Sequence, residues 1–211
     1  MKKQLLVIAL IFVSVSALAQ KKIKSGIINA TQSYYINNEL MKKELQIIYF
    51  DDLKSSIESI STVSGGHTSL VYDIEQMKKL TLLKKSAKGK KYILEDLTLS
   101  DRYTKGFKVI KGTKTRNILG FNCKEVTVTL KKNGVELTIN MFTTDRANLV
   151  LNNETKDLVN IVSDYPMYSE IIFKQNGVVS KIVTETVMLK EQNVSKEKFS
   201  LTPPKGYTKM Y

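Results

Sequence analysis

The stretch from Phe121 to Phe142 constrains the fold more than any other, because it fixes a register as well as a secondary structure. Asn133-Gly134 suits a two-residue type I′ turn, in which both central residues need positive φ. With Lys132 opposite Val135, Leu130 faces Leu137, Val128 faces Ile139 and Val126 faces Met141, all on one side. The other side receives Thr129 with Thr138, Thr127 with Asn140, and Lys131 beside Glu136. One face is dry and the other wet, as in an antiparallel pair that covers a core.

A second Asn-Gly turn, Asn176-Gly177, joins Tyr168–Lys174 to Val178–Leu189 and puts Ile171 opposite Ile182. Both faces of this pair carry apolar residues, including Ile172, Val179, Val183 and Val187, so cover on both sides is expected. Further strands are read at Ile23–Ala30, Leu45–Phe50, Ser55–Ser61, Thr68–Asp73, Lys78–Leu83 and Lys91–Leu94, with Asp51-Asp52 and Glu75-Gln76 as turns. Helices are expected at Asn37–Glu44 and around Glu154–Val162. The fold class that follows is mainly β (α+β): one large, curved antiparallel sheet, an open half-barrel, with one or two helices on its concave face.

Residues 1–19 read as a cleavable signal peptide. Lys2 and Lys3 precede an apolar run from Leu5 to Val13 with Val15, and Ala17-Leu18-Ala19 offers small residues ahead of a cut after Ala19. The run falls short of the ~20 apolar residues that span a bilayer. Gln20 stands where a lipoprotein would carry its lipidated cysteine. The expectation is therefore a periplasmic or secreted protein with residues 20–211 as a single β-rich domain and no transmembrane segment after cleavage. Only one cysteine, Cys123, is present, so the domain folds without an intrachain disulfide.

The formal net charge is +13, which draws attention to anionic partners. Arginine is confined to Arg102, Arg116 and Arg146, whereas phosphate and base recognition favour the forked guanidinium. Lysine pairs such as Lys42-Lys43, Lys84-Lys85 and Lys131-Lys132 are spread along the chain beside turns and strand ends, where they keep edges soluble. A solvated basic surface is expected rather than a nucleic-acid site, with an anionic envelope lipid as another partner for it.

Chemistry has few footholds. Cys123 and His67 are the nucleophile and imidazole available for a thiol dyad, but no third orienting group accompanies them. A packed free thiol and a loop histidine are the expected states. Without a second histidine or a clustered carboxylate set, zinc has no cage, and Asp51-Asp52 lacks calcium-loop spacing. Phosphate loops and nucleophile elbows are missing. No catalytic residue, cofactor or metal is therefore assigned.

In order along the chain, several landmarks carry a resemblance. They are Ile48-Tyr49-Phe50-Asp51-Asp52, then Val71-Tyr72-Asp73 to Lys91-Tyr92-Ile93, then Gly112-Thr113 with Gly120-Phe121-Asn122-Cys123-Lys124. Tyr165-Pro166-Met167 follows, and Phe199-Ser200-Leu201-Thr202-Pro203-Pro204-Lys205-Gly206-Tyr207 closes the set. This order resembles exported Gram-negative bacterial proteins of unknown function, DUF4412-like and neighbours of the GLPGLI family. Asp164-Tyr165-Pro166-Met167-Tyr168 stands where that family's naming motif would be, which makes the chain a neighbour rather than a member.

The group is similar in strand layout to LolA-type lipoprotein carriers, whose unclosed half-barrel with a helical lid holds acyl chains. The resemblance implies a non-enzymatic binding protein for a lipid, a lipoprotein acyl chain or a protein segment. Val126, Val128, Leu130, Leu137, Ile139 and Met141 are the candidate groove lining, and Tyr165, Pro166, Met167 and Tyr168 the candidate lid or rim loop. Two alternatives stay open. One is an envelope interaction or structural protein with a filled core and a basic anion-binding surface; the other, ranked last, is a hydrolase.

Overall fold

A computed structural model describes residues 22–62, 66–84, 89–97, 106–132, 134–148, 158 and 162–210. The expected signal peptide, residues 1–19, lies outside them. The described chain is a meander that runs outward, then returns to its start. The first six strands are β1 (Ser25–Ile36), β2 (Glu39–Asp51), β3 (Lys54–Ser61), β4 (His67–Asp73), β5 (Lys78–Leu83) and β6 (Lys91–Asp96). The return comprises β7 (Lys108–Ile118), β8 (Phe121–Lys132), β9 (Val135–Asn148), β10 (Asp164–Gln175) and β11 (Val178–Glu191). A short β12 (Thr208–Lys209) follows.

These form one sheet in the order β12-β6-β5-β4-β3-β2-β1-β11-β10-β9-β8-β7. Every neighbouring pair is antiparallel except β12 with β6. The sheet therefore has two ends and stays open, with β7 at one and β12 at the other.

Both Asn-Gly hairpins have the register that the turn chemistry dictates. Leu130 pairs with Leu137, Val128 with Ile139 and Val126 with Met141; Ile171 pairs with Ile182. The helix expected over Asn37–Glu44 is absent. Asn37 and Asn38 take φ of 48° and 70°, a pair of left-handed residues that reverses the chain into β2 and leaves no place for a helix to start. Leu40-Met41-Lys42-Lys43-Glu44 is rich in good helix formers, yet pairing with β1 outweighs that local preference. The second expected helix, Glu154 to Val162, lies outside the described residues except for Leu158 and Val162, where the Val162 amide donates to the Leu158 carbonyl at 2.8 Å. Among the described residues the multi-residue helical element is a single 3₁₀ turn, Lys196–Phe199. None of their helices is long and apolar enough to cross a membrane.

Curvature follows from the membership of the core. One buried cluster joins Ile28, Ile48, Ile57 and Tyr72 of β1–β4 to Cys123 of β8, Ala147 of β9 and Met167 of β10. These strands are not neighbours, so the sheet must curl until the two halves meet over this face. Register shifts help it bend. They lie at Asn29/Ala30 and Tyr34/Tyr35 in β1, at Asp164/Tyr165 and Pro166/Tyr168 in β10, and at Lys111/Thr115 in β7, and such irregularities increase local twist. At the end where β2 turns into β3, Asn148 Nδ2 donates to Asp52 Oδ1 at 3.4 Å. That bond spans β1, β11 and β10.

The outer face is covered in one place by the C-terminal segment. Leu201 and Tyr207 pack on Val71, Leu80 and Leu82, and Phe199 is buried. Lys198 ties this segment down, with its ammonium 3.0 Å from Glu58 Oε1 and 4.1 Å from the centre of the Tyr49 ring. The β10–β11 pair lacks the two-sided cover expected of it, since Val178 and Val187 stand 45% and 52% exposed.

Candidate functional site

The inner face changes character along its length. Near the β2–β3 turn it is mainly apolar, with Phe50, Ile48 and Ile28 side by side on β1 and β2 and the small Ser55 of β3 buried beside Phe50. Toward the Asn37-Asn38 turn it divides by strand. On the β8–β10 side it continues as Val126, Val128, Ile139 and Met141, all buried, with Leu137 and Ile171 against them. Leu158 and Val162 complete this cluster from outside the sheet. The expected groove residues are thus brought together on one face, and that face is covered by these two side chains. Leu130 lies half-buried in the same row.

On the β1–β3 side the same inner face is polar. Alternate residues of β1 after Ile28 and Ala30 are Gln32 and Tyr34, and their partners on β2 are Gln46 beside Ala30, Glu44 beside Gln32 and Lys42 beside Tyr34. Gln32 is 1% exposed, Gln46 7% and Glu44 9%. Buried polar groups at this depth must bond to one another. Gln46 Nε2 donates to Gln32 Oε1 at 2.9 Å, and Gln32 Nε2 donates to Thr184 Oγ1 at 3.2 Å. The Tyr34 hydroxyl hydrogen-bonds Gln32 Oε1 and also reaches Glu44 Oε2 at 3.2 Å. Lys42 sits 2.5 Å from Glu44 Oε1 and over the Tyr34 ring at 5.4 Å.

None of Gln32, Tyr34, Glu44 and Gln46 is among the candidate site residues read from the sequence. The signal was available as Ile28, Ala30, Gln32, Tyr34 and Phe50, Ile48, Gln46, Glu44, two period-2 rows that both turn polar toward the β1–β2 turn, the β2 row one pair earlier.

Tyr165, Pro166, Met167 and Tyr168, expected as a lid or rim loop, lie within β10. Tyr165 and Met167 are 5% and 1% exposed and belong to the core. Pro166 is tolerated in the strand because the register shifts there, so no ladder donor is needed from it. Tyr168 packs beside Phe142, ring centres 6.4 Å apart, under the Arg116 guanidinium at 5.3 Å. Burial raises its phenol pKa.

Cys123 and His67 have separate surroundings. Cys123 is fully buried in the core cluster; its Sγ contacts the Phe121 carbonyl oxygen at 3.5 Å, and burial pushes the thiol above its ordinary range. His67 opens β4 rather than lying in a loop, with Nε2 3.1 Å from Lys84 Nζ and 3.8 Å from Glu58 Oε2. Among the described residues no group of three or more metal-ligating side chains is positioned to hold an ion.

Two clefts lie at opposite ends of the sheet. One, of about 600 Å³, lies between the β2–β3 turn, the β4–β5 turn and the C-terminal segment. There Lys54 bridges the buried Asp73 at 3.3 Å and Glu75 at 2.9 Å, and with Asp51, Asp52 and Lys196 also on its wall the cleft is acidic on balance. The other, of about 440 Å³, lies between the β8–β9 and β10–β11 hairpin tips.

Neither a family model nor a curated protein matches the sequence. Solved structures similar to this one include PNGF-II (12% identity, TM-score 0.49), of which this chain spans 31% while aligning over 88% of its own length. A DUF1329 family protein of Desulfovibrio piger is similar at 10% identity and TM-score 0.37, over 90% of this chain and 94% of that one. A LolA superfamily protein of Nitrosomonas europaea is similar at 11% identity and TM-score 0.38, over 87% and 91%. At these identities and TM-scores none of the three bears on what this chain binds or does.

Proposed function

We propose that this is a non-enzymatic extracytoplasmic binding protein that holds a lipid or lipoprotein acyl chain against the inner face of its open sheet. The observation that supports this reading is the division of the inner face. An apolar row (Val126, Val128, Ile139, Met141) and a buried polar network (Gln32, Gln46, Glu44, Tyr34) lie on one curled surface. An amphiphile offers the same two chemistries, a chain for the first and a head group for the second.

Leu158 and Val162 occupy the apolar row from outside the sheet, and in this reading they are a displaceable cover. Burying two such side chains is worth roughly 3–6 kcal/mol, and each buried methylene about 0.8 kcal/mol. A chain of about eight methylenes therefore offsets their release.

Native mass spectrometry of protein purified from an envelope fraction tests the reading. A population carrying one lipid-sized adduct is expected, enriched when Leu158 and Val162 are both replaced by Ala. A bare mass in both proteins would leave the inner face a filled core and the reading wrong.

A further inference from the structure

Three hairpin tips meet at the end of the sheet opposite the β2–β3 turn. The Asn37 amide donates to the Val179 carbonyl at 2.8 Å, and the Val179 amide donates to Asn37 Oδ1 at 3.1 Å. These bonds lock the β1–β2 tip to the β10–β11 tip. The β8–β9 tip borders the other side of the β10–β11 tip, across the cleft they share.

Turn tips are ordinarily polar, and this end adds exposed apolar side chains to its polar turn residues. Leu40 and Met41 are 56% and 54% exposed, and Val178 and Ile36 are 45% and 44%. Met41 is the extra residue at a register shift, where Tyr34 pairs with Lys42 and Tyr35 with Leu40; the irregularity re-aims the strand at this point. Around these apolar residues stand the exposed lysines Lys43, Lys131 and Lys174. Of the acids at this end, Glu39 is exposed, and Glu136 pairs with Lys131 at 2.5 Å, so Lys43 and Lys174 are the lysines of this set outside that pair.

From this arrangement we infer that the three-tip end is a docking surface for an anionic phospholipid bilayer. Apolar side chains projecting among lysines fit the boundary between acyl chains and negatively charged head groups, the first entering and the second pairing. Charge complementarity selects this occupant: the tips are lysine-rich, and the full sequence carries +13, of which the expected signal peptide holds only Lys2 and Lys3. Weakly hydrated arginine is absent from the tips, and compact ammonium groups suffice for lipid phosphates met as point charges. The inference does not depend on the inner face holding a ligand.

The test uses the exported, processed protein and vesicles of phosphatidylcholine with or without about one-third phosphatidylglycerol, read by co-sedimentation. Binding is expected on anionic vesicles, weaker on neutral ones and falling steeply as salt shortens electrostatic range. Replacing Leu40 and Met41 with Asn should cut partitioning on anionic vesicles by about tenfold or more. Lys43→Glu, Lys131→Glu and Lys174→Glu together should remove the salt-sensitive part. The same charge change at the other end, in Lys24, Lys190 and Lys196, should leave binding in place.

Insertion has its own readout because the chain contains no tryptophan. A Val178→Trp variant should shift its emission to the blue on anionic vesicles, and a Leu53→Trp variant at the β2–β3 turn should not. Absence of vesicle binding by the parent protein, equal loss from the two charge-reversed triples, or equal emission shifts from the two tryptophans would each overturn the inference.

Discussion

Gly26 and Phe50 are partners across β1 and β2, and the Phe50 ring lies where a side chain on residue 26 would be. A Cβ there would come within 3.1 Å of the ring and 2.3 Å of the Lys190 carbonyl oxygen. The second obstacle is backbone of β11 and has no room to retreat. Gly26→Ala is therefore expected to destabilise by about 1–3 kcal/mol, the typical range of overpacking at a tight site. Gly112 offers the contrast. Its Cβ would meet Glu125 at 2.1 Å, but Glu125 is a flexible side chain paired with Lys114 at 3.5 Å near the surface. Gly112→Ala should cost roughly 0–1 kcal/mol, the worth of a surface ion pair. Urea unfolding of both variants separates the two cases, and equal costs would contradict the assigned difference.

The β-meander was legible because its register is written in local chemistry. Asn133-Gly134 and Asn176-Gly177 specify turns, and alternation does the rest as far as Met141 and Ile182. The Asn37-Asn38 turn carried the same kind of signal in a less familiar pair, and the helix-forming run after it masked the signal. β7, from Lys108 to Ile118, escaped because it is an edge strand. Most of its residues are exposed, so no apolar alternation marks it. The polar network was hidden for a different reason. Gln32 and Gln46 become neighbours only once β1 and β2 pair, and their burial depends on the curl of the whole sheet.

Tyr34→Phe is the least intrusive probe of that network. It keeps the ring beneath Lys42 and removes the hydroxyl that reaches Gln32 and Glu44. Gln32 Oε1 keeps its bond from Gln46 and Glu44 keeps Lys42, so the loss is that of an ordinary hydrogen bond, about 0.5–1.5 kcal/mol, and the urea midpoint should fall by a corresponding amount with an unchanged slope. Gln46→Leu removes a buried donor and fills the space with apolar atoms, yet strips Gln32 Oε1 of its 2.9 Å bond. A loss in the same range is expected. If both variants unfold with the parent, the network is not structural.

Cys123 should be inert in the native protein. It is fully buried, and burial holds its thiol above the ordinary range of about 8.5, so the thiolate needed for reaction is scarce at neutral pH. An aromatic disulfide reagent at pH 7.5 should modify it at least about a hundredfold more slowly in buffer than in 6 M guanidinium. Stability should also fall as pH rises past the unfolded thiol's range, because the unfolded chain then releases a proton that the folded one retains. Comparable labelling rates in the two solvents would place the thiol at the surface.

His67 gives the opposite sign at the acidic side. Burial lowers its pKa first, the neighbouring Lys84 adds to that effect, and Glu58 opposes both. A histidine depressed in the folded state gains its proton more readily when the chain unfolds. Its contribution is complete above the unfolded value of about 6.5 and is lost as pH falls through the folded one. The parent protein should therefore be less stable at pH 5.5 than at pH 7.5, and His67→Gln, which cannot titrate, should narrow that gap. The side chain is 26% exposed, so solvent softens the effect, and the comparison must be made as a difference between the two proteins at both pH values. Because the main carboxylate titrations lie lower, near 4, a gap unchanged by the substitution would mean that the imidazole is not the group responsible. A gap widened by it would mean that Glu58 outweighs burial and Lys84, reversing the order of causes assigned to this site.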